Sequence, residues 1–136
     1  MNTATAQKLA QDPAKTAGAA LRTYFNIAEA WKLDTEQAMT LLGFDERTRS
    51  TFFKWKRAPE GARLNREKLE RLSYIFGIYK DLQILLPKPE AADTWIHRPN
   101  DAPLFGGRPA LDRMLAGNVA DLYVVRQYLD AQRGWS

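Results

Sequence analysis

Apolar residues in this chain return at steps of three and four, and that periodicity limits it to helices. Leu21, Tyr24, Phe25, Ala28 and Trp31 fall on one face of a helix beginning near Ala14. Leu69, Leu72, Ile75 or Phe76, Tyr79, Leu82 and Leu85 or Leu86 keep step through a longer segment, and Val119, Leu122, Val125 and Leu129 through the last one. A half-buried strand needs strict alternation of apolar and polar residues, and no segment supplies it. The predicted class is all-α.

Punctuation residues divide the pattern into short helices. Asp34 suits an N-cap and Gln37, three residues on, can complete a capping box. Ala38, Leu41 and Leu42 form the buried side of this second helix, and Gly43 ends it, glycine being free to take the left-handed conformation. Asp45 caps the next segment, DERTRSTFFKWKR. At ~100° per residue Thr48, Phe52 and Trp55 share one sector, with Arg47, Arg49, Lys54, Lys56 and Arg57 around the rest. Phe53 sits among the cations, either as core on a wide apolar face or as an exposed contact. Pro59 and Gly61 make a loop, Asn65 caps the long helix, and Pro87 and Pro89 stop it. Gly77 within that helix costs about 1 kcal/mol relative to Ala. The stretch PKPEAAD is the expected hinge. Beyond it come a brief helix over 91–97, irregular chain to Gly107, a short helix with Pro109 in its first turn, and a last helix capped by Asn118 and broken at Gly134. The expected organisation is an arm over 1–13, one helical domain over 14–86 and a second over 91–136. With 136 residues and 45% apolar content, there is enough core for such units without disulfides or metal.

Several function classes lose their residues. There is no cysteine and a single histidine, His97, so neither a thiolate site nor a zinc site of ordinary composition is expected. Ser50, Ser73 and Ser136 lie in no nucleophile-elbow pattern, and Gly106-Gly107 lacks the Gly-Lys-Ser/Thr of a phosphate-binding loop. No enzyme activity, cofactor or metal is expected. No apolar run approaches the ~20 residues of a membrane span, and the first residues lack the apolar core of a signal peptide. The expected location is the cytoplasm.

Charge is uneven. Residues 47–71 hold nine Lys/Arg against three Glu, a local balance of +6, whereas 91–136 hold five of each sign. Two helices joined by a tight glycine turn, the second basic on its outer side, outline a helix-turn-helix. Such a helix fits the major groove, where base edges carry sequence. On this reading Arg47, Arg49, Ser50 and Lys54 reach toward bases, and Lys56 and Arg57 hold phosphates, as do Arg63 and Arg66 beyond the loop. The competing reading is a solvated basic face of a helical bundle.

The stretch WIHRPNDAPLFGGRPALDRMLAG is of another kind. Pro99 and Pro103 fix φ, Asn100 and Asp101 can bond their own backbone, and Gly106-Gly107 open conformations closed to other residues. An ordered loop of this type is either a binding surface or the closure of a core. Its residues Trp95, Pro99-Asn100, Leu104 to Asp112, Leu115 and Gly117 resemble the C-terminal toxin-binding domain of the Xre/MbcA/ParS antitoxin family. That pattern is Trp, a short gap, Pro-Asn, an aromatic before Gly-Gly, Pro-Leu, then Gly before a final helix, and the match covers about residues 70–136. The chain departs from it with Pro109-Ala110-Leu111 in place of Ser-Pro-Leu. Residues 20–86 resemble the Xre-type helix-turn-helix that accompanies this domain.

The resemblance implies an antitoxin of a type II toxin–antitoxin pair, whose partner resembles a RES-domain toxin that consumes NAD. It implies a C-terminal domain that covers the toxin's active site, an N-terminal half that binds operator DNA, and a dimer within a larger complex. Trp95, Pro99, Asn100, Phe105, Gly106, Gly107, Leu111, Leu115 and Gly117 would build the domain. Arg126, Tyr128, Asp130, Arg133, Trp135 and Ser136 would meet the toxin, with Tyr123 as a further candidate; Arg and Trp are favoured at binding hot spots. Trp135 either projects from Gly134 or folds back on its own core. The alternative function is a DNA-binding regulator without a toxin, its C-terminal half used to dimerise.

Overall fold

The computed structural model describes residues 13–134. The arm expected over 1–13, apart from Pro13, and the candidates Trp135 and Ser136 lie outside the described residues. Seven α-helices are present among those described: α1 (Pro13–Ala30), α2 (Thr35–Leu41), α3 (Arg49–Arg57), α4 (Arg66–Leu85), α5 (Pro89–Thr94), α6 (Ala110–Met114) and α7 (Val119–Gln132). Single 3-10 turns occupy Glu46–Thr48, Pro59–Gly61 and Trp95–His97. The all-α expectation holds. None of these helices is long and apolar enough to cross a membrane. The chain divides into two compact units between Ser73 and Tyr74, a point inside α4, whereas the sequence reading places its hinge after Leu86.

In the first unit α1 buries Leu21, Tyr24, Ala28 and Trp31, as its spacing requires, while Phe25 is only half-buried. The Tyr24 hydroxyl donates to the Ala38 carbonyl at 2.6 Å, and burial pushes the phenol's pKa well above its ordinary value. Lys32, at φ +53°, ends α1 in a left-handed residue, and Leu33 N–H closes back on the Ala28 carbonyl. No glycine announces this stop.

Both acidic caps form as expected. The Gln37 amide donates to Asp34 Oδ1 at 2.8 Å, and the Asp34 amide to Gln37 Oε1 at 3.0 Å. Gly43 takes φ +82°, which lets Phe44 N–H reach the Met39 carbonyl and drops the Phe44 ring into the core. The Asp45 cap corrects the wheel drawn for the next segment. Thr48 is exposed, not in the sector of Phe52 and Trp55. The first turn is a 3-10 turn, with fewer residues per turn than α, and the Thr48 hydroxyl accepts from the Asp45 amide at 2.9 Å. Phe44 meets Phe52 edge-on at 5.5 Å and Trp55 at 5.1 Å, so the aromatic anchor is otherwise as read. Phe53 is half-buried against Phe52.

In the second unit Ile75, Ile78 and Leu82 of α4 are buried, with Ala92, Ile96, Phe105, Leu111, Met114, Leu122, Val125 and Leu129. The glycine loop is a closed, hydrogen-bonded structure. Asn100 Oδ1 accepts from the Ala102 amide at 2.9 Å, its carbonyl from Gly107 at 2.8 Å, and its amide donates to Arg108 at 3.2 Å. Pro99 and Pro109 pair across its base. Gly106 and Gly107, at φ +58° and +87°, make the return. Pro109 is the N-cap of α6 rather than part of its first turn, its extended backbone belonging to that pairing.

Candidate functional site

Two surfaces merit description, one in each unit. On α3, Ser50, Lys54 and Arg57 project opposite the buried Phe52 and Trp55, and all three are exposed. Arg47 precedes them with a side chain 92% exposed, 3.8 Å from Asp45. Lys54, Lys56, Arg57 and Arg63 are exposed and make no ion pair among the described residues. Lys54 and Arg57 are thus unpaired cations on the outer side of the second helix, with Lys56 on its flank and Arg63 beyond its end, a distribution that suits a polyanion.

Not every cation of the basic span belongs to that row. Arg49 pairs with Glu36 of α2 and, at 3.1 Å, with Glu46, so it braces the two helices of the motif against each other. Arg66 pairs with Glu70. Lys68 and Arg71 are turned inward, with side chains 12% and 5% exposed. The balance of +6 therefore overstates the outward charge. Counting residues along a sequence cannot separate cations facing water from cations that cap a neighbouring helix.

In the second unit, most candidate residues of α7 turn out to hold the helix down. Arg126 lies over Gly77: its guanidinium fills the space that a Cβ at Gly77 would need. That contact explains the glycine in mid-helix. Arg126 also pairs with Asp130 at 3.5 Å. Arg133 donates to Asp81 Oδ1 at 2.8 Å, and the Asp81 side chain is 2% exposed. Burial, aided by a hydrogen bond to Asp130, pushes the Asp81 carboxyl up to about 6, with Arg133 opposing. Tyr128 stacks on Trp95 at 6.3 Å and meets Phe105 edge-on at 5.2 Å. The motif residues Trp95 and Phe105 thus fasten the glycine loop to α7 through Tyr128. Asp121 behaves oppositely to Asp81: although burial works against it, hydrogen bonds from Arg113 and the Asn118 amide hold it below the usual carboxylate range.

Besides Gln132 at its end, α7 leaves exposed Ala120, Tyr123, Gln127 and Ala131, a stripe at three- and four-residue steps. Tyr123 is 42% exposed and its hydroxyl accepts from Gln127 Nε2 at 2.6 Å. Only Tyr123 of this stripe stood out in the sequence. The signal for the rest was the complement of the apolar period, which marks solvent without marking a partner. Leu111 is buried, Leu115 half-buried, and Gly117 and Gly134 both have positive φ. His97 is exposed, and no cluster of three metal-ligating side chains occurs among the described residues.

The architecture is a helix-turn-helix unit followed by a second helical unit with its own internally paired charges. Residues 10–77 match the antitoxin Xre-like helix-turn-helix domain, and residues 81–134 match the antitoxin Xre/MbcA/ParS C-terminal toxin-binding domain. The uncharacterized protein y4oB of Sinorhizobium fredii (strain NBRC 101917 / NGR234) is 53% identical over 116 residues, 85% of each chain. No solved structure matches the chain. The chain belongs to the Xre-type antitoxin family and is the antitoxin of a toxin–antitoxin pair, with a toxin as its partner.

Proposed function

We propose that this chain neutralises a RES-type, NAD-consuming toxin by covering its active site with residues 91–136, and that it binds its own operator through α3. It performs no chemistry of its own and works in the cytoplasm, as a dimer within a larger complex. One observation carries the reading: a helix with unpaired outward cations and a toxin-binding domain lie in one chain. Arg47, Ser50 and Lys54 face bases, and Lys56 and Arg57 face phosphates. Arg49 acts by bracing α2 and α3.

At the toxin, Trp135 and Ser136 make the central contact, and the Tyr123 stripe of α7 contributes as rim. Arg126, Tyr128, Asp130 and Arg133 contribute by fixing α7, because most of their surface is already engaged. Co-expression with a RES-domain toxin tests this. The full chain is expected to restore growth, and removal of Gly134–Ser136 or Trp135→Ala to weaken rescue. Full protection by the trimmed chain would remove the tail from the mechanism. A purified complex whose mass contains no toxin would leave a regulator alone.

A further inference from the structure

We propose that Lys68 and Arg71 are positioning residues for DNA reading: they clamp the turn between α2 and α3 and so set the seat of α3, without touching DNA themselves. The proposal rests on the operator-binding reading above. Lys68 Nζ donates to the Gly43 carbonyl at 3.0 Å and stands 4.6 Å from the centre of the Phe44 ring. Arg71 donates to the Leu41 carbonyl at 3.4 Å. Both carbonyls lie at the C-terminal end of α2, where unsatisfied oxygens and the helix dipole favour cations. Glu67 approaches Lys68 at 3.3 Å and Arg71 at 3.6 Å, compensating the pair.

The turn is built to receive these two side chains. A Cβ at Gly43 would lie 2.6 Å from Arg71 Nε and 2.9 Å from Lys68 Nζ, so the residue is glycine for space as well as for its φ of +82°. The apolar link to α3 is the Phe44 ring, which acts beside the Arg49–Glu36 ion pair. Phe44, held from one side by Lys68, meets Phe52 and Trp55, the two buried residues of α3. Moving Phe44 therefore moves the helix that carries Ser50, Lys54 and Arg57. Base contacts tolerate little displacement, whereas phosphate attraction is long-ranged. Loss of the clamp should reduce discrimination between sequences and leave non-specific attraction intact.

The test measures binding of the full-length protein to a duplex carrying the promoter of its own operon, and to a shuffled duplex of equal composition, over a range of salt. Lys68→Met and Arg71→Met are each expected to lower the affinity ratio between the duplexes about tenfold, the scale of one base contact, with the salt slope unchanged. Lys68→Arg, which keeps a cation over Phe44 and a donor to Gly43, should recover most of the ratio. Arg57→Ala, at a residue assigned to phosphate, serves as the contrast and should shrink the salt slope by about one while leaving the affinity ratio in place. A normal ratio in both methionine variants, with Arg57→Ala binding both duplexes less tightly, overturns the clamp alone. A salt slope that falls in Lys68→Met makes Lys68 a phosphate contact and overturns it too. Equal binding of the two duplexes by the unmodified protein overturns the operator reading, and the clamp with it.

Discussion

The two units differ in where most of their charge sits, although Lys68 and Arg71 of the first also turn inward beside Glu67. The first leaves Arg47, Lys54, Lys56, Arg57 and Arg63 in water and rests its fold on aromatic packing around Phe44, Phe52 and Trp55. The second takes charges inside, placing Asp81 beneath Arg133 and Arg126 against Asp130 and Gly77. Unpaired cations in water attract any polyanion at long range and depend on salt. Internal ion pairs exert little field outside, but they hold a helix in one register, since breaking either partner leaves a buried charge. The contrast suits one unit to a charged polymer and the other to a shaped protein surface.

Breaking the two cores gives the largest contrast. Phe52→Ala is expected to destabilise the first unit by about 3–5 kcal/mol through the cavity it leaves. Arg133→Ala should destabilise the second by about 3 kcal/mol at neutral pH, because Asp81 is left buried without its cation. Urea unfolding measures both. The comparison sharpens with the double variant Asp81→Leu/Arg133→Met, which should recover most of the loss if the pair serves placement more than stability.

A smaller effect separates the units by pH. The Asp81 carboxyl titrates near 6 in the fold against 3.8 ordinarily, so its protonated form favours the folded state. That contribution is complete below about 3.8 and is lost as pH rises through about 6. Thermal melts should therefore show the second unit losing stability between pH 4 and 7, and Asp81→Asn flattening the trend. Asp121, held low, works in the reverse sense, losing its contribution only at more acid pH. A melt indifferent to Asp81→Asn across this window would place the charge of Asp81 in water. The smallest expected effect is at the end of α1, where Lys32→Gly relieves a left-handed lysine and stabilises the first unit by about 0.5 kcal/mol, read as a small rise in its melting point.

Local signals in this chain were legible because local chemistry produces them. The caps at Asp34, Asp45 and Asn65 and the stop at Gly43 depend on residues within four positions of each other. Trp95, Asn100, Phe105 and the two glycines carry enough of the loop's geometry to be recognised as a pattern. The same reasoning failed at Thr48, where a 3-10 turn replaced the assumed period, and at Lys32, where a lysine occupies a position usually left to glycine. Gly77 read as a weakness, and its reason, Arg126, lies 49 residues further along the chain.

Sequence alone thus determined the helices, their order, their caps and the family, because periodicity and capping are short-range properties of the chain. Which cations face solvent, which arginines lie inside, and which aromatic ring joins the motif's turn to its second helix were decided by tertiary structure. A side chain's burial and its ion-pair partner depend on residues brought near it only when the helices pack, as Arg71 does on Leu41 and Arg133 on Asp81.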